Sequence, residues 1–199
     1  MKNLLLALLM LLVVFPISAC ADKNDNPLTE EEEQETPEVT DRKILIVYFS
    51  WGGSTKQVAE NIANHTGGTL FRIETVTPYP TEYIPCTEVA RAERDNGIRP
   101  ELKTIVDNLD QYDTIFVGCP VWWHTAPMAV WSFLESDNYD FSGKTIIPFC
   151  TYEATFRDET LANIVELTPD SKHLKGFGTT NKNADVESWL KEISIISNK

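Results

Sequence analysis

The chain has 199 residues with a formal net charge of −13, nine glycines, eleven prolines, four cysteines and three histidines. This length suits one domain with appendages, and the composition excludes collagen-like repeats, bulk low complexity and a disulfide scaffold. The acidic balance argues against a sequence-nonspecific nucleic-acid partner, which requires a basic patch, and the chain lacks a CxxC pair or a His/Cys cluster at zinc spacing, so no metal site is expected.

At the N-terminus Lys2 precedes an apolar run of 12 residues, Leu4 to Phe15. A bilayer span takes about 20 residues, so the run has the size of a signal-peptide core instead. Ile17-Ser18-Ala19-Cys20 follows. Small residues directly before a cysteine resemble a bacterial lipobox. That reading makes residues 1–19 a signal peptide cleaved before Cys20, with lipid on the Cys20 thiol. The plainer alternative is an ordinary signal peptide cut after Ala19, with Cys20 incidental. The lipoprotein reading expects a bacterial cell-envelope location, periplasmic or outer-surface, with the membrane reached only through the N-terminal lipid.

Residues 21–41 hold nine acidic side chains against Lys23 alone, and only Leu28 and Val39 are sizeable apolar residues. Such a stretch cannot bury enough surface to offset its ordering entropy, and its like charges extend it. Residues 20–41 therefore read as a disordered acidic tether, the rival being an acidic binding or sorting segment. The folded unit is residues 42–199, with a net charge of −6.

Within that unit Lys43 to Ser50 is a continuous β-branched and aromatic run, the mark of a strand buried on both faces. Thr55 to Asn64 carries Val58, Ala59, Ile62 and Ala63 at helical spacing and stops at Gly67-Gly68. Thr69 to Val76 is a second strand. Pro78, Pro80 and Pro85 mark an irregular loop, with Cys86 in it and accessible. Short helical stretches follow, the clearest Glu101 to Leu109, its Leu102, Ile105, Val106 and Leu109 spaced i, i+3, i+4, i+7. Asp113 to Cys119 is a third strand, and Thr125 to Glu135 a helix with Pro127 in its first turn. Lys144 to Thr151 is a fourth strand, Asp158 to Val165 a helix, and Lys172 to Thr179 a weaker fifth strand. Val186, Trp189, Leu190 and Ile193 stripe a last helix. Strands alternating with helices predict a parallel sheet with helices on both faces.

In such sheets ligands bind outside the carboxyl ends of the strands. The first strand ends in Ser50-Trp51-Gly52-Gly53-Ser54-Thr55, and a helix begins at once. Two glycines let the backbone turn tightly against an anion, three hydroxyls can donate to phosphate oxygens, and the helix start adds free N–H groups. Neither GxxxxGK[ST] nor GxGxxG is present, so NTPase and dinucleotide readings are poor. A plain strand-to-helix turn with capping hydroxyls is the bland alternative.

Tyr48-Phe49-Ser50-Trp51-Gly52-Gly53-Ser54-Thr55 resembles the FMN-phosphate loop of flavodoxins, [ST]-x-T-G-x-T, with Ser50, Gly53 and Thr55 on the pattern and Gly52 in place of the usual threonine. The resemblance covers residues 43–195. It extends to Tyr79-Pro80 and to Pro120-Val121-Trp122-Trp123-His124-Thr125-Ala126-Pro127, segments of an exported flavodoxin-like branch. It implies a three-layer α/β flavodoxin-like fold, a five-stranded parallel sheet in order 2-1-3-4-5 with helices on both faces, and FMN as cofactor.

By the same resemblance the loop Pro120 to Ala126 should lie beside the first loop. Trp122 or Trp123 would cover the flavin ring, one of them serving structure instead. Backbone groups of residues 121–124 would reach the flavin N5 and O4 edge. His124 would steady a reduced anion, shuttle a proton, or simply be solvated. The loop after the fourth strand reads Thr151-Tyr152-Glu153-Ala154-Thr155-Phe156-Arg157, where related chains carry glycines. Tyr152 or Phe156 would stack on the other ring face, or the bulky side chains would fill the pocket. Glu153 near N1 would lower the midpoint potential. Cys119 and Cys150 fall near the ends of adjacent strands and read as buried free thiols, the alternative being a disulfide that an exported location would permit. No catalytic acid–base constellation is present. The leading reading is a lipid-anchored FMN protein passing electrons to a redox partner protein or small acceptor. The alternatives are an NAD(P)H-dependent FMN reductase of quinones or other small acceptors, and a flavodoxin fold that no longer binds FMN and serves as a binding module.

Overall fold

The structure, a computed structural model, describes residues 42–198. The segments read as signal peptide and acidic tether, with Cys20 between them, lie outside the described residues. The elements in chain order are β1 (Ile44–Tyr48), α1 (Ser54–Thr66), β2 (Thr69–Arg72), α2 (Tyr83–Asn96), β3 (Thr114–Pro120), α3 (Met128–Leu134), β4 (Thr145–Thr151), α4 (Arg157–Glu166), β5 (Lys172–His173), β6 (Phe177–Thr179) and α5 (Val186–Glu192).

All strand pairs are parallel, in the order β2-β1-β3-β4-β5, with β6 also pairing on β4. The fold is the expected doubly wound α/β architecture, with a sixth strand besides. The central strands are buried on both faces because each carries two apolar sets at period 2. Leu45, Val47, Ile115, Val117 and Ile146 pack with Ala129, Val130 and Phe133 of α3 and Ile164 of α4. Ile44, Ile46, Phe116, Ile147 and Phe149 pack with Val58, Ala59 and Ile62 of α1 and Trp189 and Leu190 of α5. Gly118 of β3 has no side chain because the Phe149 ring occupies that space: a Cβ there would sit far inside the 3.0 Å that real contacts respect.

Three expectations need correction. Residues 101–109 do not form a helix. Leu102 makes an isolated antiparallel bridge with Thr75, and only a 3₁₀ turn forms, at Leu109–Gln111. Leu102, Val106 and Leu109 still face the core, but Ile105 is exposed, so the helical spacing was coincidental. The second strand ends at Arg72, short of Val76. The Pro-rich stretch is only partly loop: α2 begins at Tyr83 with Pro85 in its first turn, where a missing N–H is harmless, and Cys86 is buried on it.

The expected fifth strand is two short pieces. β5 pairs with Thr145 and Ile146, and β6 with Phe149, Cys150 and Thr151. Lys172 and Leu174 donate to the carbonyls of Lys144 and Ile146, so even-numbered residues of β4 direct their backbone groups to this side. Pro148 is the next such residue and has no N–H to offer, which breaks the ladder where β5 stops and β6 has not begun.

Candidate functional site

Three loops at the carboxyl ends of β1, β3 and β4 converge on one cavity of about 420 Å³. The first is Ser50 to Thr55. Ser50 is buried, and its Oγ accepts a hydrogen bond from the Gly53 N–H at 3.2 Å, leaving its own O–H free to donate. Gly53 is the N-cap of α1 at φ 90°, a left-handed conformation that glycine takes without steric cost. It offers no side-chain cap, so the first-turn N–H groups at the positive end of α1 stay open to an anion. Arg72 donates to the Ser50 carbonyl at 3.1 Å. Thr55 is buried and shares a 2.8 Å hydrogen bond with Thr151, joining the first loop to the end of β4.

The Tyr79-Pro80 segment holds the underside of this loop. The Trp51 indole N–H donates to the Pro80 carbonyl at 2.8 Å. The Tyr79 ring meets Phe49 and Trp122 edge to face, with centroids at 5.4 and 5.2 Å, and Trp122 meets Phe49 at 5.2 Å. The Tyr79 hydroxyl donates to Glu93 of α2 at 2.7 Å. Burial pushes the Glu93 carboxyl up from its ordinary value, against the lowering effect of that hydrogen bond. Burial, then the neighbouring Glu93, raises the Tyr79 phenol far more.

Trp122 and Trp123 pack on different neighbours. Trp122 belongs to the aromatic cluster beneath the loop, and Trp123 leans on α2. The Trp123 indole N–H donates to the Thr87 carbonyl at 2.9 Å, and the guanidinium carbons of Arg91 and Arg94 lie 5.6 and 5.4 Å from its ring centroid. Both indoles line the cavity. Trp122 and Thr125 exchange backbone hydrogen bonds at 2.9 and 3.1 Å around Trp123 (φ 49°) and His124 (φ 72°). Positive φ at both central residues is the type I′ pattern, which usually takes Asn-Gly.

The third loop does not fill the cavity. Tyr152 and Glu153 line its wall, whereas Phe156 turns away and stacks on the His124 ring at 3.7 Å between centroids. Beneath, Cys119 and Cys150 face each other in register as free buried thiols. Burial pushes the Cys119 thiol well up and the Cys150 thiol up to about 12. Among the described residues no His, Cys, Asp and Glu group is arranged to hold a metal ion.

The cavity thus collects Ser50, Trp51, Gly52, Ser54, Thr55, Pro120, Val121, Trp122, Trp123, His124, Thr151, Tyr152 and Glu153. Gly53 is outside the lining and acts through its backbone alone. Two further walls were not read from the sequence. One is α2, which presents Tyr83, Cys86, Thr87 and Ala90 at i, i+3, i+4, i+7 spacing. The other is the turn after β6, with Thr180 and Lys182. That turn is tied to α1 by a 2.6 Å bond from Gln57 to Asn183, and among the described residues no carboxylate lies within ion-pair distance of Lys182.

A search of curated proteins finds no match. Among solved structures, a Bacteroides eggerthii protein assigned as a flavoprotein superposes with a TM-score of 0.67 at 29% identity, covering 76% of this chain and 98% of that one. A Bacteroides uniformis protein assigned likewise gives 0.65 at 30% identity, over 75% and 98%. A Lactobacillus acidophilus flavoprotein solved in complex with FMN gives 0.63 at 21%, over 77% and 99%, a likeness of fold. The flavodoxin family model matches residues 43–193, which takes in every strand, every helix and all three loops around the cavity. The chain belongs to the flavodoxin family.

Proposed function

We propose that this protein binds FMN in the cavity between its three loops and transfers electrons, anchored at the bacterial cell envelope through a lipid on Cys20. The observation that carries the reading is the opening of an uncapped helix start and an indole-walled turn onto one cavity. Its volume, about 420 Å³, lies within the range of small-molecule sites, roughly 300–1,000 Å³. The residues fit the group. The Ser50 hydroxyl and the first-turn amides of α1 suit a phosphate monoester, and the hydroxyls of Ser54 and Thr55 stand beside them. Trp122, Trp123 and Tyr152 offer aromatic walls to a flat heterocycle and exclude water from it. Bound FMN supplies the redox chemistry, and the protein sets its potential and access. Glu153, on the wall, opposes additional negative charge in the cavity.

A second reading, reduction of a small acceptor such as a quinone by NAD(P)H, draws on the α2 wall. Cys86 and Ala90 are buried there and Tyr83 is exposed at the rim, an apolar surface beside the three loops. Titrating the purified protein with FMN, following flavin fluorescence and absorbance, tests the common premise. Quenching with micromolar or tighter affinity is expected, and failure to bind at high micromolar FMN sinks both redox readings. Adding NADH to the loaded protein separates them: unchanged flavin absorbance favours the carrier, bleaching the reductase. Globomycin-sensitive processing and incorporation of labelled palmitate, lost in Cys20→Ala, test the anchor.

A further inference from the structure

The turn Trp122 to Thr125 holds two consecutive side-chain-bearing residues in the left-handed region, Trp123 and His124. Neither is glycine, asparagine or aspartate, so the turn is strained by its own residues. Something outside it must hold it: α2 supplies the Thr87 carbonyl to the Trp123 indole and Arg91 over its ring, and one side chain, Arg94, reaches the backbone of the turn itself. Arg94 donates from Nη1 to the Trp123 carbonyl at 3.0 Å. Its guanidinium covers the Trp123 ring, and its Nε and Nη2 are fixed by Asp95 at 2.8 and 2.5 Å. Asp95 therefore aims the fork, and the remaining arm grips the peptide between the two strained residues. On the opposite side the turn meets the His124–Phe156 stack, and the Thr125 hydroxyl donates to Asn163 at 2.6 Å.

We infer that Arg94 is a positioning residue: it clamps the Trp123–His124 peptide in its left-handed geometry and so fixes the wall on which the flavin ring rests. The inference rests on the FMN reading for its functional half alone. The clamp is a property of the protein without ligand. It makes α2, absent from the family loop motifs, the element that determines how the second loop meets the ring.

The test compares Arg94→Gln, Arg94→Lys, His124→Gly and the double variant Arg94→Gln/His124→Gly in the full-length protein. Amide hydrogen exchange is read without ligand, and FMN and riboflavin affinities are read with it. Arg94→Gln should speed exchange at Trp123, His124 and Thr125 by about tenfold or more, as expected for loss of a charge-assisted hydrogen bond. It should weaken FMN and riboflavin binding alike by a similar factor. Lysine keeps the cation but cannot grip Asp95 and the carbonyl together, so it should fall between. Glycine at 124 relieves strain and should restore most of the loss in the double variant. Unchanged exchange in Arg94→Gln overturns the clamp. So does a loss that His124→Gly does not repair, or one confined to FMN and absent with riboflavin. If wild-type protein binds neither flavin, the FMN reading fails, and the exchange experiment still decides the clamp. If Arg94→Gln does not fold, Arg94→Lys and its double with His124→Gly carry the same comparison.

Discussion

Replacing Gly118 by alanine probes how the core sets the position of the second cavity loop. The new Cβ would lie on the Phe149 ring, whose nearest three atoms all fall well under the 3.0 Å limit of real contacts. Phe149 has 0% exposure and belongs to the cluster between the sheet, α1 and α5, so the ring has no solvent to retreat into. Either the ring or β3 must move by about an ångström, in an interior packed like a crystal. The expected cost is about 3 kcal/mol, the upper end for overpacking. For a domain of this size that corresponds to a fall in Tm of roughly 6–12 °C. Shrinking the partner should relieve it. Phe149→Leu alone should cost roughly 1.5 kcal/mol through the void it leaves. Combined with Gly118→Ala, the two volume changes compensate, giving a coupling of at least about 1.5 kcal/mol in urea denaturation. A Gly118→Ala protein within about 0.5 kcal/mol of wild type, or a strictly additive double variant, would show that the ring does not need this glycine.

Other outcomes follow from the site. Glu93 has a raised folded pKa, so its contribution to stability is present below the ordinary glutamate range and lost as pH rises through the raised value. Glu93→Gln, whose amide oxygen can still accept from Tyr79, should flatten that part of the stability–pH curve, and an unchanged curve refutes the assignment. Lys182→Ala should weaken FMN binding about fivefold in low salt while leaving riboflavin unaffected, the mark of a cation acting on the phosphate. Equal loss for both ligands would put Lys182 on the ring instead. Cys119 and Cys150 hold their protons through burial and should resist alkylation at neutral pH until the protein unfolds. Cys86 is raised by burial too, but it lies on the cavity wall, so it should react slowly yet ahead of Cys119 and Cys150 and should be protected by bound flavin.

Much of this architecture was legible because its signals are local. A strand buried on both faces reads as an uninterrupted apolar run, and Lys43 to Ser50 is one. The Ser50–Thr55 loop carries its glycines and hydroxyls consecutively, so its geometry follows from neighbours in the chain. α2 was illegible for a physical reason. Its cavity-side stripe, Cys86, Thr87 and Ala90 with Tyr83 exposed at the rim, mixes polar and small residues because it faces a cavity, not the sheet, and Pro85 disguises its first turn. The stretch 101–109 misled in the opposite direction, since an irregular segment bound to Thr75 happens to bury residues at helical spacing. The type I′ turn at Trp123-His124 lacks its usual sequence mark because tertiary contacts from Arg94 and Thr87 impose it. Lys182 carries no motif at all and reaches the cavity only through the pairing of β6 with β4.

The break at Pro148 has a consequence for association. An open sheet must end somewhere, and a long, straight final strand invites a second chain to extend it. Here the edge beyond β4 consists of fragments of two and three residues, separated where proline interrupts the ladder. No incoming strand finds more than a few consecutive backbone partners in line, and the opposite edge, β2, has only four residues. The fold is therefore defended at both margins against strand addition. Its contacts with other molecules are directed to side-chain surfaces and to the cavity rim, and crowding many copies together should not seed fibrils from the folded state.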